Sequence, residues 1–250
     1  DPDMQTVIEQ RASLEAELRL AIEQQQFRLY YQIQVDSQRR PLGAEVLLRW
    51  EHPHRGLVSP LHFIPLAEET WLILPMEKWV LRTACEQLKI WQKDKLTCDL
   101  TLAVNVCGLQ FSQDDFVDQV KHILLESGAD PTKLKLEMTE SMMLENIEDI
   151  IGKMNELKLF GLSFSLDDFG TGYSSLQYLK RLPLDQIKID QSFVQDINTD
   201  HNDDAIVQTI IAMTDALGFN VIAEGVETGV QHAFLEQCGC HAFQGYLFSK

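Results

Sequence analysis

Eight short apolar segments, most of them separated by longer amphipathic ones, constrain the fold of this 250-residue chain more than any other feature of its sequence. The alternation predicts β-strands joined by helices, because short apolar runs are typical of buried strands and longer runs with a 3.6-residue period are typical of helices. The predicted strands are 28–35, 42–50, 100–106, 134–139, 162–167, 186–190, 220–224 and 242–246, and the predicted helices include 75–93, 113–126, 143–159, 201–217 and 228–237. This order predicts an α/β fold, a TIM-like (β/α)8 barrel.

The connection between the first two predicted strands is too short for a parallel crossover. Only the segment SQRRP, residues 37–41, separates them, whereas a crossover between parallel neighbours needs roughly a dozen residues. We therefore expect the first strand to run antiparallel to the rest of the barrel. An open doubly wound sheet is the alternative architecture.

The first 26 residues differ from the remainder of the chain. Residues 5–26 have helical periodicity and are rich in good helix formers. They predict a linker-like helix at 1–26 ahead of a single domain at 27–250. Because the chain begins with Asp1 and ends on a predicted strand, we expect a domain cut from a longer protein and truncated at its C-terminal end.

The acidic balance argues against a nucleic-acid polymer as partner. The formal net charge is −17 at pH 7, whereas proteins that bind DNA or RNA duplexes carry a basic surface. The chain has five cysteines, an odd number, at positions scattered along the sequence, which argues against a disulfide scaffold. We expect free thiols in a reducing cytoplasm. No apolar run approaches the roughly 18 residues that span a membrane. We expect a cytoplasmic domain and leave open whether the full-length protein is membrane-anchored.

Polar residues recur where the predicted strands end. In a parallel barrel the carboxyl ends of the strands meet at one rim, where the chemistry of such barrels is located. The residues at these ends are Glu45, Asn105, Glu137, Asp167, Asp168, Lys188, Glu224 and Gln244. A single carboxylate at a strand end is usually a helix cap or a solvated loop residue, but their joint occurrence indicates a site.

So many carboxylates at one rim require compensating positive charge, and Lys188 neutralises only one of them. Oxygen-rich sites suit hard divalent cations, here Mg²⁺ or Mn²⁺, better than zinc. Two such ions bridged by a shared carboxylate are a recurring device for hydrolysing phosphodiesters. Asp167 is the expected bridge and Asp168 the ligand of the second ion. Since side chains alternate along a strand, we expect Asp168 to lie beyond the strand end, where glycines let the chain curl.

Three further residues, and an alternative role for Lys188, invite a functional interpretation. His52 and His54 have a spacing that could bind metal, but no third nitrogen ligand is near, so we expect a solvated loop. Lys135 falls on the same strand face as Glu137, and the sequence offers no partner for its charge. Lys188 could alternatively be a Schiff-base lysine of a barrel aldolase or racemase, although that chemistry favours a lysine that is not surrounded by carboxylates.

Several blocks, taken in order, resemble the EAL family of bacterial cyclic di-GMP phosphodiesterases. They are YYQIQVD, GAEVLLRW, AVNVCGLQF, LEMTES, LDDFGTGYSSLQYLKRLPLDQIKID, VIAEGVET and QGYLFSK. The similarity extends from about Phe27 to the end of the chain. The name motif reads Glu-Val-Leu instead of Glu-Ala-Leu, Ile33 stands where proline is frequent, and Cys107 replaces a frequent serine.

The resemblance implies metal-dependent hydrolysis of cyclic di-GMP to linear pGpG, with two ions, Mg²⁺ or Mn²⁺, activating the water. It implies one ion held by Glu45, Asn105, Glu137 and Asp167, and a second held by Asp167, Asp168 and Glu224. Lys188 would orient or deprotonate the water, and Arg49 would grip a substrate phosphate. Gln32 and Gln244 would contact the substrate or the rim, and Glu140 would anchor the loop 169–175 that the family couples to its dimer interface.

The resemblance also implies partners: cyclic di-GMP, a second copy in a homodimer, and an upstream sensor or cyclase domain that signals through the N-terminal helix. A rival is a receptor module that binds cyclic di-GMP with weak or no catalysis and regulates a partner domain. Such modules usually lack one or more acidic ligands, and none of these ligands is missing here.

Overall fold

The computed structural model of the chain describes residues 2–144, 146–170 and 176–249. Its β-strands are β1 (Phe27–Asp36), β2 (Pro41–His52), β3 (Gly56–Val58), β4 (Thr101–Asn105), β5 (Leu134–Thr139), β6 (Ser163–Phe169), β7 (Gln186–Ile189), β8 (Asn220–Ala223) and β9 (Ala242–Gln244).

The helices alternate with the strands from β3 onward. They are α1 (Pro2–Glu23), α2 (Pro60–Glu69), α3 (Ile73–Trp91), α4 (Gly108–Phe111), α5 (Phe116–Ser127), α6 (Ile147–Phe160), α7 (Leu176–Leu179), α8 (Gln191–Gln195), α9 (His201–Leu217) and α10 (Gly229–Gln237), with 3₁₀ turns at Pro131–Lys133 and Glu140–Leu144. The short elements β3, α2, α4, α7 and α8 are additions to the predicted set.

The strands form a closed barrel with one reversed strand. The pairing order is β1-β9-β8-β7-β6-β5-β4-β2-β3, and an additional β1–β2 pairing closes eight of these strands into a ring. β1 is antiparallel to both of its neighbours, β2 and β9, whereas the other pairs around the ring, from β2–β4 to β8–β9, are parallel. The predicted TIM-like barrel with an antiparallel first strand is confirmed, and the open sheet is wrong.

Alternation along the strands separates the apolar core from the polar barrel interior. Leu136, Phe164 and Ile187 point outward and are fully buried against the surrounding helices. The intervening positions, such as Glu137 and Lys188, point into the barrel and are buried as well. The apolar layer therefore stabilises the fold, while the interior positions carry polar groups toward the carboxyl ends of the strands.

Local signals explain several helix ends. Thr228 and Gln231 form a reciprocal capping box at the start of α10. The Asp200 side chain accepts the backbone N–H of Asn202 and caps α9. The same helix ends at Gly218, whose φ of 79° is a left-handed conformation that glycine adopts without steric cost.

The structure corrects the expectation that Asp168 lies beyond its strand. β6 continues to Phe169, and its register with β7 shifts between Leu166 and Phe169. Asp167 and Asp168 therefore share the place opposite Lys188, and Asp168 takes a left-handed φ of 54°. This arrangement is a β-bulge, which interrupts the normal alternation of side chains and brings both carboxylates to the same end of the barrel.

The N-terminal helix packs on the barrel. Leu18 and Ala21 of α1 are fully buried in a second apolar cluster, with Phe63 of α2 and Trp50 of β2 among its members. The division into a helix at 1–26 and a domain at 27–250 stays a prediction. None of the described helices is long and apolar enough to cross a membrane.

Candidate active site

Lys188 lies at the centre of the carboxylates that the sequence predicted to converge. Its side chain is 1% exposed, and its Nζ is 2.7 Å from Oε2 of Glu137 and 2.6 Å from Oε1 of Glu224. The same nitrogen lies 3.1 Å from Oδ1 of Asp167 and 3.4 Å from Oε2 of Glu45. The strands β2, β5 and β6 and the residue that follows β8 thus place acidic oxygens around a single buried ammonium.

The electrostatics of this cluster are set by burial and by the one central cation. Burial alone would lower the pKa of Lys188, but the four surrounding carboxylates outweigh it and raise that pKa well above its ordinary value. Burial raises the pKa of Glu137 to about 8, because the loss of solvation outweighs the attraction of Lys188. Burial likewise raises the pKa of Glu224 well above its ordinary value. One lysine therefore cannot keep every carboxyl ionised at neutral pH.

Two amides hold Glu45 in place. Burial acts to raise the pKa of Glu45, but Lys188, Gln244 and Asn105 outweigh it and lower the pKa. The Asn105 amide donates to Oε1 of Glu45 at 2.7 Å, and the Gln244 amide donates to Oε2 at 2.6 Å. Gln244 also donates to Oε1 of Gln32 at 2.9 Å. Glu45 is consequently an ionised and well-oriented carboxylate.

Asp168 occupies the exposed edge of the cluster. Its carboxyl forms a side-chain hydrogen bond with Asp190, a residue that the sequence reasoning missed. Burial, the Asp167 charge and this hydrogen bond raise the pKa of Asp168 to about 6. The available signal was the Lys188-Ile-Asp190 spacing, since residues two apart on a strand share a face.

The residues present fit a divalent metal ion. Glu45, Glu137 and Asp167 each offer a carboxylate oxygen, and these atoms lie within 4.8 Å of one another. The Oε1 atom of Glu137 is buried, and no hydrogen-bond partner for it occurs among the described residues. An all-oxygen donor set suits Mg²⁺ or Mn²⁺, and Asn105 would add an amide oxygen if its side chain turned over.

A cavity of about 840 Å³ adjoins this cluster at Asn105, which lines the cavity and donates a hydrogen bond to Glu45. Arg49 and Asn105 line it, together with residues of α2 and α3. The Arg49 guanidinium donates to the Leu48 carbonyl at 3.1 Å and lies over the Tyr30 ring. No carboxylate forms an ion pair with Arg49 in the part of the chain that the structure describes, which leaves its charge available to an anion.

Glu77 is a second residue that the sequence reasoning missed. It lines the same cavity, and its Oε1 accepts the backbone N–H of Cys107 at 2.9 Å. Burial raises the pKa of Glu77 to about 8. The signal was a charged residue on the apolar face of α3, four positions after Ile73 and three before Val80.

Glu140 directly follows Thr139, the last residue of β5. It is buried, and its Oε2 accepts the backbone N–H of Gly170 at 3.4 Å. This contact attaches Glu140 to the start of the loop that the sequence assigned to 169–175. Residues 171–175 lie outside the described residues.

The structure supplies the missing partner of Lys135. Its Nζ donates to Oε1 of Gln186 at 2.7 Å, across the intervening strand β6. Ser165 of β6 faces the barrel interior between these two residues, and its side chain is small enough to leave room for this contact. Burial lowers the pKa of Lys135, while the Glu137 charge opposes that effect.

The fold and the site together define a class of protein. It is an eight-stranded α/β barrel with a reversed first strand, in which acidic oxygens surround a lysine at the carboxyl end. The family model described as EAL domain matches residues 15–250. The chain therefore belongs to the EAL domain family.

Relatives and solved structures agree with this membership. The chain is 41% identical over 251 residues to the bifunctional diguanylate cyclase/cyclic di-GMP phosphodiesterase MucR of Pseudomonas aeruginosa, covering 100% of this chain and 36% of that protein. It is 43% identical over 242 residues to the cyclic di-GMP phosphodiesterase NbdA of the same organism, covering 96% of this chain and 31% of that protein. The chain spans about a third of the length of these curated relatives.

The fold matches solved EAL structures closely. A structure of the PaMucR phosphodiesterase in complex with c-di-GMP superposes with a TM-score of 0.92 at 42% identity, covering 95% of this chain and 96% of the other. The EAL enzyme Bd1971, bound to cAMP and cyclic di-GMP, gives a TM-score of 0.92 at 35% identity, covering 98% of this chain and 67% of the other.

Proposed function

We propose that this domain is a cyclic di-GMP phosphodiesterase that hydrolyses one phosphodiester of the cyclic dinucleotide and releases linear pGpG. The observation that carries the proposal is the cluster of four carboxylates within 3.4 Å of Lys188, beside a cavity with an unpaired Arg49 among the described residues. Family membership and the activities for which the relatives MucR and NbdA are named support it.

We assign the metal ligands by position. Glu45, Asn105, Glu137 and Asp167 would hold one divalent cation, and Asp167, Asp168 and Glu224 would hold a second. When bound, Mg²⁺ or Mn²⁺ supplies Lewis acidity, which lowers the pKa of water and neutralises charge on phosphoryl oxygens. Gln244 contributes by orienting the Glu45 carboxylate through its 2.6 Å hydrogen bond.

Lys188 acts as an orienting donor. Because its pKa is raised well above the ordinary value, the side chain carries its proton at neutral pH and donates rather than accepts. This favours orienting a water or a phosphoryl oxygen over deprotonating the water. A protonated lysine is also a poor Schiff-base nucleophile, which argues against the aldolase or racemase alternative.

Arg49 binds a substrate phosphate. Its planar guanidinium can donate two parallel hydrogen bonds to phosphate oxygens, and it lines the same cavity as Asn105, which donates a hydrogen bond to Glu45. Gln32 lies at the same rim, where its amide donates to the Ser249 carbonyl at 3.4 Å. We assign this amide a contact with the substrate.

The remaining parts of the proposal concern the role of Glu140, the oligomeric state and the other domains of the full-length protein. The contact of Glu140 with the Gly170 backbone supports an anchoring role for this residue at the loop that follows β6. MucR is more than twice as long as this chain, which supports further domains in the full-length protein. We propose a sensor or cyclase domain there and a homodimer of this domain.

The proposal is tested by chromatography of cyclic di-GMP incubated with the domain and Mg²⁺ or Mn²⁺. It predicts a pGpG product that disappears when EDTA is added. Glu45→Ala and Asp167→Ala should abolish turnover, whereas Asp118→Ala, on the exposed face of α5, should not. Binding of cyclic di-GMP without product would instead identify a receptor module.

A further inference from the structure

One carboxylate of the N-terminal helix holds the hairpin between β2 and β3. Glu17 of α1 accepts from Nε and Nη2 of Arg55, at 2.9 and 3.1 Å. Its Oε2 also lies 3.1 Å from Nε2 of His52. A guanidinium fork and an imidazole thus converge on a single side chain of α1.

The His52 ring connects Glu17 to the backbone of the hairpin. Nδ1 of His52 accepts the backbone N–H groups of His54 and Arg55, each at 3.1 Å. An Nδ1 atom that accepts two hydrogen bonds is unprotonated, so the ring proton is on Nε2 and faces Glu17. His52 is 8% exposed and ends β2, which corrects the expectation of a solvated loop for this residue, whereas His54 is exposed in the turn as expected.

The hairpin lies between two parts of the cavity wall. β2 carries Arg49 shortly before His52, and α2 begins at Pro60 shortly after the hairpin; both Arg49 and Pro60 line the cavity. The other face of α2 buries Phe63 in the same apolar cluster as Leu18 of α1. α1 therefore contacts both the hairpin that follows Arg49 and the helix α2.

The segment after α1 makes a second attachment to the end of β2. The Gln26 side chain accepts the indole N–H of Trp50 at 2.9 Å, and the Gln26 carbonyl accepts the N–H of Glu51 at 2.8 Å. Both attachments lie just beyond Arg49 in β2.

We propose that Glu17 is a positioning residue for substrate binding: by holding His52 and Arg55, it couples the position of α1 to Arg49 and to the α2 wall of the cavity. The inference rests on the proposed function, because it requires cyclic di-GMP in that cavity. According to this inference, α1 helps to form the substrate site. A change in the position of this helix would therefore alter the affinity for the substrate. The central carboxylates lie on other strands or deeper in β2 and should be unaffected.

The first test compares Glu17→Gln with Glu15→Gln. The second variant removes a charge from the same helix, at a residue whose ion pair among the described residues is with Arg19. Glu17→Gln should raise the KM and the Kd for cyclic di-GMP about three- to tenfold. The kcat and the Mn²⁺ affinity should stay within about twofold, and Glu15→Gln should match the parent. An unchanged Kd for Glu17→Gln in folded protein would overturn the proposal.

The second test uses His52→Asn, whose side-chain oxygen can replace Nδ1 as acceptor for the hairpin but cannot reach Glu17. It should raise the Kd as Glu17→Gln does, and the double variant should be no worse than either single variant. A normal Kd for His52→Asn, or additive effects, would show that the hairpin does not depend on Glu17. Parent protein that neither binds nor hydrolyses cyclic di-GMP would defeat the proposed function itself, whereas failure of the variants alone would defeat only this inference.

Discussion

The Nζ atom of Lys188 lies 2.7 Å from Oε2 of Glu137, and neither side chain is more than 1% exposed. A buried ammonium and the carboxyl beside it depend on each other, because removing one leaves the other without its partner in a poorly solvating interior. Three further carboxylates lie around the same nitrogen. The carboxylates around Lys188 therefore affect both the stability of the metal-free domain and its ability to bind cations.

Lys188→Met should separate stability from metal affinity. Without the ammonium, the metal-free domain should lose about 3–5 kcal/mol of unfolding free energy, the range for breaking a buried ion pair. Since the lysine competes with cations for the same carboxylates, Mn²⁺ should bind at least as tightly as to the parent and restore part of the lost stability. Turnover should fall at least about a hundredfold.

Urea unfolding with and without Mn²⁺, together with calorimetry, measures both effects. Lys180→Met, at an exposed lysine, is the matched control and should behave as the parent. Weaker Mn²⁺ binding by Lys188→Met would mean that the lysine supports the metal ligands instead of competing with the metal.

The metal-free domain should lose stability as the pH rises. Glu137 has a folded-state pKa of about 8 against an ordinary value of 4.5, so the folded state binds more protons than the unfolded state between these values. The contribution of Glu137 is fully present below its ordinary pKa and is lost as the pH rises through about 8. Urea midpoints measured from about pH 5 to 9 should fall, and Glu137→Gln should flatten that fall.

Because Glu137 and Glu224 hold protons in the metal-free domain, Mn²⁺ binding should release protons. It should also become tighter as the pH rises. Cations must displace the protons held by Glu137 and Glu224. Calorimetric titrations in buffers of different ionisation enthalpy should give different apparent heats at neutral pH. Identical heats in all buffers would show that the carboxyls are already ionised.

The strand-end residues were predictable because parallel strands deliver their carboxyl ends to one rim, whichever helices join them. This is why Glu45, Glu137, Asp167 and Lys188 meet in the structure as the sequence predicted. The bulge at Asp168 was not predictable from alternation, because it depends on the register between β6 and β7. Register is a tertiary property that a single strand does not encode.

The missed contacts involve residues far apart in the chain. The partners Glu17 and His52 are 35 positions apart (52 − 17), and nothing local to His52 distinguishes a buried ring from a solvated one. Lys135 was correctly placed on the same face as Glu137, but its partner Gln186 belongs to a different strand. Such pairings follow from the closure of the barrel.

Asp168→Gly should stabilise the domain while abolishing its activity. Asp168 holds a left-handed φ of 54°, which costs a non-glycine residue about 1 kcal/mol, and glycine removes that cost together with a carboxyl near other carboxyls. The urea midpoint should rise and hydrolysis should be lost. Asn198→Gly, at a φ of 65° on the loop before α9, should give a similar rise with normal activity.

Calorimetric titration of the metal-free domain with Mn²⁺ tests most directly whether the carboxylates around Lys188 form a metal site. We predict two ions bound per chain and a reduced stoichiometry or affinity in Asp167→Asn, the shared ligand. The absence of Mn²⁺ binding by the parent domain, or unchanged binding by Asp167→Asn, would contradict the account.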